Sequence, residues 1–325
     1  MAGARPRIVV TREIPEAARE VLHAAGDVWW PQPDRMLPTE ELHAAVAGAD
    51  AVVSTLQDRI DGAFADAAGP QLKVVSTVAV GYDNADVPAL TDRGIVFTNT
   101  PGVLTDATAD LAFGLLLSVT RRLGEGERLL RSRTPWSFHL GFMLGSGLQG
   151  KTLGIVGLGQ IGQAMARRAL AFGMEIVYSG RRRADAAVER ELRARYVPFP
   201  ELLAGSDVVS LHCPLTPETR HLIDADALAT MKPSAYLVNT TRGPVVDEGA
   251  LADALARGVI AGAGLDVFEK EPEVHPGLLE LDNVALAPHL GSATVETRTE
   301  MALLAARNAV AVLTGAEPLT PVKGR

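Results

Sequence analysis

Short runs of β-branched and other apolar residues, Ile8–Thr11, Ala51–Ser54, Lys73–Thr77 and Ile95–Phe97, alternate along the chain with Ala- and Leu-rich helical stretches such as Pro15–Ala25 and Thr39–Ala47. This is a βα repeat, and it predicts parallel strands joined by right-handed crossovers. A second series begins at Thr152–Val156 and continues through Glu175–Tyr178, Val208–His212, Tyr236–Asn239, Ile260–Leu265 and Val284–Ala287. Two series predict two α/β domains, each a buried parallel sheet with helices packed on it. Between them, Thr105–Arg131 reads as one long helix. Thr105 and Asp106 can accept from its first-turn N–H groups, and Leu111–Val119 is apolar on more than one face. Such a helix must be buried on several sides, and a second subunit is the expected extra partner, giving a homodimer through the 105–131 region. Thr294–Thr314 reads as a last helix stopped by Gly315, with no strand after it, so it is expected to pack back on the first domain.

Composition narrows the class. At about 150 residues per domain, 325 residues suit two domains. Apolar residues make up 47% and aromatics only 5%, so the cores are built from Ala, Val, Leu and Ile. The 31 basic and 39 acidic residues leave a formal charge of −8, which argues against nucleic acid and membrane surfaces as partners, both being polyanionic. No apolar run approaches the ~18 residues that span a bilayer. A single cysteine, Cys213, forms no internal disulfide, and Met1–Arg7 leads into the first strand without a signal-like apolar stretch. The expectation is a mature, cytoplasmic protein.

The strongest local signal is Gly157-Leu158-Gly159-Gln160-Ile161-Gly162, set between the strand Thr152–Val156 and a helix running to Phe172. The first glycine permits a tight turn, the second lets backbone approach a pyrophosphate, and the third allows helix and strand to pack closely. The helix start supplies N–H groups and the positive end of its dipole. The acidic residue that would bind a ribose 2′-hydroxyl is expected near position 180. That position is Gly180, followed by Arg181, Arg182 and Arg183. Guanidinium groups pair with a 2′-phosphate through charge-assisted bonds, so the reading is NADP(H) over NAD(H), with NAD(H) still possible.

Ligands in open α/β sheets bind beyond the carboxyl ends of the strands. Arg242, Asp266 and His289 all stand there, with Glu269 and Glu271 in the turn after Asp266. Hydride transfer between a nicotinamide and a 2-oxo acid needs a proton donor for the carbonyl oxygen, a cation for the carboxylate and a positioned ring. His289, a carboxylate partner in Glu271, and Arg242 are those residue types, with no metal required.

These motifs, together with Val80-Gly81-Tyr82-Asp83-Asn84, Ala107–Ala112, Asn239–Gly243, Gly264–Phe268 with Glu271-Pro272, and Pro288–Ser292, resemble the D-isomer-specific 2-hydroxyacid dehydrogenase family over nearly the whole chain. Within it the sequence is most similar to the glyoxylate/hydroxypyruvate reductases. The resemblance implies two doubly wound, Rossmann-like or flavodoxin-like domains: a discontinuous substrate domain of residues 1–100 and 291–325, and a dinucleotide-binding domain of residues 101–290. It implies His289 as acid/base, Glu271 as its partner, Arg242 as carboxylate clamp, and Val80 and Gly81 as backbone donors to the same carboxylate. Leu56 would line the substrate pocket, and Trp136 would reach a neighbouring subunit's pocket. Thr108, Cys213, Pro214, Thr240, Asp266 and Gly291 join Gly157–Gly162 and Gly180–Arg183 as cofactor contacts, with Asp266 holding the nicotinamide carboxamide and Cys213 a packing residue. The implied reaction is reduction of glyoxylate or hydroxypyruvate. A D-lactate or phenylpyruvate type of dehydrogenase, or a dinucleotide-sensing corepressor-like protein, would use the same scaffold.

Overall fold

A computed structural model describes residues 5–323. The chain divides into two compact units, one taking the chain up to Leu104 and again from Ala293, the other Thr105–Ser292. The first holds β1 (Arg7–Val10), β2 (Asp27–Trp29), β3 (Ala51–Ser54), β4 (Val74–Thr77) and β5 (Val96–Thr98) in a parallel sheet of order β2-β1-β3-β4-β5. Because successive side chains point to opposite faces, each β-branched run serves two cores. Val9, Val52, Val75 and Phe97 pack against the helices Thr39–Val46 and Gly62–Ala68. Ile8, Val10, Val53 and Val74 pack against Glu16–Ala25 and Val295–Leu313. The C-terminal helix thus finds its place in the first unit. Ala302, Ala305, Ala306 and Ala309 bring it close to the sheet, and Ser76 Oγ donates to Ala305 O at 2.9 Å.

The second unit holds β6 (Thr152–Val156), β7 (Glu175–Ser179), β8 (Ala194–Tyr196), β9 (Val208–Leu211), β10 (Tyr236–Asn239), β11 (Gly262–Leu265) and β12 (Val284–Leu286), ordered β12-β11-β10-β9-β6-β7-β8 and parallel throughout. Its sheet is covered on one face by the helices Thr105–Thr120 and Gln160–Ala171, and on the other by Phe199–Gly205, Ala225–Thr230 and Glu248–Ala256. Each fully buried Val, Leu or Ile contributes roughly 1.5–3 kcal/mol. Both units are doubly wound, and among the described residues no helix is long and apolar enough to cross a membrane.

Two expectations need correction. The edge strands β2 and β8 are only three residues long, and of their residues only Ala194 is buried, so the periodicity does not register them. The stretch Thr105–Arg131 is two helices, Thr105–Thr120 and Leu123–Arg131. Thr120 O accepts from Ser146 N–H at 2.8 Å, and Arg122 turns to φ 55. The first helix meets its need for burial within its own unit through Ala112, Phe113, Leu116 and their neighbours. The second buries nothing and exposes Leu123 and Leu130.

Candidate active site

The three glycines after β6 do different work. Gly157 sits at φ +95, and a Cβ there would lie 2.8 Å from His212 O, so the turn presses on the end of β9. A Cβ on Gly162 would collide with the Gly157 carbonyl oxygen, which fixes how closely helix Gln160–Ala171 approaches the strand. Gly159 faces open space. It is also the N-cap of that helix and supplies no capping side chain, while the first turn, with Gln160 and Ile161, carries no acidic residue. Uncapped N–H groups at the positive end of a helix, reached past a residue without a side chain, fit a pyrophosphate. In the same unit, just past β10, the Thr240 hydroxyl is buried with no partner among the described residues, which agrees with a polar ligand, while Thr108 Oγ1 donates to Gly291 O at 3.1 Å. Cys213, followed by Pro214, is half-buried, and burial pushes its thiol up to about 11, away from the thiolate form.

Beyond β7 the chain is tethered. Tyr196 Oη donates to Gly180 O, and Ala184 N–H donates to Tyr178 Oη. Arg183 engages Glu189 through both carboxylate oxygens, at 2.8 and 2.9 Å. Arg181 and Arg182 are exposed and in no hydrogen bond or ion pair among the described residues, although the Glu218 carboxyl, held down mainly by the Thr216 hydroxyl, also feels the charge of Arg181.

The reactive set is assembled at the ends of β10, β11 and β12. Asn239, the last residue of β10, is buried; its amide donates to Arg242 O at 3.0 Å, while its Oδ1 accepts from Thr241 N and Oγ1. A Cβ on Gly243 would collide with the Phe268 carbonyl, so the Arg242 loop lies flat on the segment that carries Glu271. His289 Nδ1 meets Glu271 Oε2 at 2.7 Å, leaving Nε2 as the end available to a ligand. Burial pushes the Glu271 carboxyl up, but the hydrogen bond and charge of His289, the Phe268 N–H and the charge of Arg242 outweigh it and hold the group below its usual range. Glu271 is therefore an anion that can orient and stabilise an imidazolium.

His289 itself lies in the left-handed region at φ 55. Its N–H donates to Asp266 O at 2.8 Å, and the Asp266 carboxylate accepts from Leu290 N at 2.6 Å and Gly291 N at 2.8 Å. Asp266 is buried, and burial raises its carboxyl above the ordinary value despite those donors. It acts as the clamp of the 289–291 turn, a role that residue type and position did not reveal. The role of Asn239 in shaping the Arg242 loop was missed as well, although an Asn side chain that bonds the backbone two residues on is a turn signal.

In the first unit, Leu56 is half-buried in the turn after β3, and Val80 and Gly81 lie in the loop after β4. Asn99 Nδ2 donates to Val80 O at 2.9 Å, and among the described residues the Val80 and Gly81 N–H groups have no protein acceptor. Trp136 is exposed and stacks on Phe142.

Comparison with known proteins gives a consistent result. Residues 113–291 match the family model of the D-isomer specific 2-hydroxyacid dehydrogenase, NAD binding domain. A glyoxylate reductase of Thermococcus litoralis is 49% identical over 319 residues, covering 97% of this chain and 96% of the relative. Among solved structures, a glyoxylate reductase from Paecilomyes thermophila aligns with a TM-score of 0.89 at 35% identity over 99% of both chains. An NADPH-dependent glyoxylate/hydroxypyruvate reductase from Sinorhizobium meliloti, in complex with NADP and malonate, aligns with a TM-score of 0.87 at 38% identity, covering 98% of this chain and 97% of that one.

Proposed function

The chain belongs to the D-isomer specific 2-hydroxyacid dehydrogenase family, and from that premise we propose that it reduces small 2-oxo acids of the glyoxylate and hydroxypyruvate kind, using NADPH ahead of NADH. The observation that carries the reading is the His289–Glu271 pair, held at the strand ends of the unit that also bears the glycine turn. When bound, the reduced nicotinamide supplies the hydride. Arg242 clamps the substrate carboxylate, its fork matching two carboxylate oxygens. His289, oriented by the Nδ1 contact with Glu271, gives the Nε2 proton to the carbonyl oxygen as negative charge develops there. The uncapped start of helix Gln160–Ala171 would receive the pyrophosphate, with Thr108, Thr240, Asp266 and Gly291 as further cofactor contacts. Leu56, Val80 and Gly81 are the substrate-side residues proposed for the first unit.

Support for NADPH comes from Gly180 standing where an acid would repel a 2′-phosphate, from Arg181 and Arg182 beside it, and from the Sinorhizobium relative crystallised with NADP. A homodimer is supported by the apolar side chains left exposed at Leu123, Leu130, Trp136, Phe138, Leu140 and Leu144. Steady-state assays of glyoxylate, hydroxypyruvate and pyruvate against both coenzymes test the substrate and coenzyme assignment. The highest kcat/KM is expected for glyoxylate or hydroxypyruvate with NADPH; a clear preference for pyruvate, or no coenzyme oxidation, would overturn it.

A further inference from the structure

The three arginines after β7 are alike in sequence but not in circumstance. Tyr178 is buried, and its hydroxyl donates to Glu189 Oε1 at 2.6 Å. Glu189 rises from the helix Ala186–Leu192 with its side chain only 12% exposed, and both its oxygens are engaged by Arg183. The Arg183 side chain is 68% exposed, yet its Nε and Nη2 both face this anchored carboxylate, so its two-point edge is taken and its charge partly neutralised before any second anion arrives. Arg181 and Arg182 have no such partner among the described residues.

We propose that Glu189 is a coenzyme-specificity residue: by engaging the fork of Arg183 and resting on Tyr178, it withholds one of the three arginines from the 2′-phosphate. Recognition of that phosphate then falls to Arg181 and Arg182. Arg183 is a strut that ties the loop after β7 to the following helix, and the modest positive charge left at the loop sets how strongly the phosphorylated coenzyme is favoured. The assignment rests on the NADPH reading above and deepens it.

The test measures binding of 2′,5′-ADP and 5′-AMP to the full chain by calorimetry, so that the 2′-phosphate is the only difference between probes. Glu189→Gln keeps an acceptor for the Tyr178 hydroxyl but removes the charge that holds Arg183. It is expected to raise the preference for 2′,5′-ADP roughly tenfold, the scale of one charge-assisted contact. Arg183→Ala is expected to move that preference by less than about twofold, and the double variant should lose the gain. A tenfold loss of preference in Arg183→Ala, or no change in Glu189→Gln, would overturn the assignment. Arg181→Ala tests the underlying NADPH reading separately. If the unaltered chain binds both probes equally and Arg181→Ala changes nothing, that reading fails, while the response of Glu189→Gln still decides the role of Glu189.

Discussion

Both sheets reverse their winding at one point, between β1 and β3 in the first unit and between β6 and β9 in the second, and open α/β sheets take ligands at such points. The two points are chemically opposite. At the end of β1, the Thr11 hydroxyl donates to the buried Asp58 carboxylate, which also accepts from the N–H and hydroxyl of Thr55. Arg12 is paired to Asp34 through two bonds, and the helix that follows has Glu16 in its first turn. That reversal is filled by side chains, and its helix start is already matched by an acid. At the end of β6 the turn is backbone alone, and the helix start bears neither cap nor acid. The same winding thus leaves a helix dipole answered by an acid in one unit and unanswered in the other.

The sharpest way to test this contrast is to separate chemistry from binding in the second unit. His289→Ala should lower kcat about a hundredfold to ten-thousandfold, the range of general acid catalysis, with coenzyme affinity kept within a few-fold. A matching loss of affinity would mean that the acid and the dinucleotide site are one structural element. Next in size is Gly162→Val, which drives a side chain into the Gly157 carbonyl and should destabilise the protein by about 3 kcal/mol in urea unfolding. Gly159→Ala, which has open space for its methyl but makes a poorer N-cap, should cost no more than about 1 kcal/mol of stability while weakening coenzyme binding.

Acid should act on the second reversal through His212, at the end of β9. Burial pushes its imidazole from the ordinary 6.5 down to about 4. Between those values the unfolded chain binds a proton that the folded chain refuses, so stability rises with pH across the interval and is lost as pH falls from about 6.5 to about 4. The loss should be on the order of 3 kcal/mol. His212→Gln should flatten the slope over that range, and an unchanged slope would remove His212 as its source. Smallest is Asp58→Asn in the first unit, which weakens a buried acceptor and should cost about 1 kcal/mol without altering coenzyme affinity. A change in that affinity would break the separation between the two reversals.

How far each feature could be read from the chain follows how local its causes are. The βα series, the final helix and the glycine turn were legible because apolar period, cap chemistry and glycine spacing lie within a few residues of one another. The strands β2 and β8 were not, since three residues of which at most one is buried form an edge only by hydrogen-bonding to a neighbour already in place. Nor was the break at Arg122. The Thr120 carbonyl is taken by Ser146, and no propensity at 120–122 announces that partner.

The sequence by itself determined two parallel-sheet units, the turn that would cradle a pyrophosphate, and the residue types His289, Glu271 and Arg242 at strand ends, because these depend on local pattern and on where strands stop. Tertiary structure decided which groups are engaged: Glu271 with His289, Asp266 with the turn that follows, Asn239 with the Arg242 loop, and Arg183 with Glu189. The reason is physical. Charge and hydrogen-bonding capacity are properties of a residue, but whether they are available to a ligand depends on partners that only the folded chain brings within 3 Å.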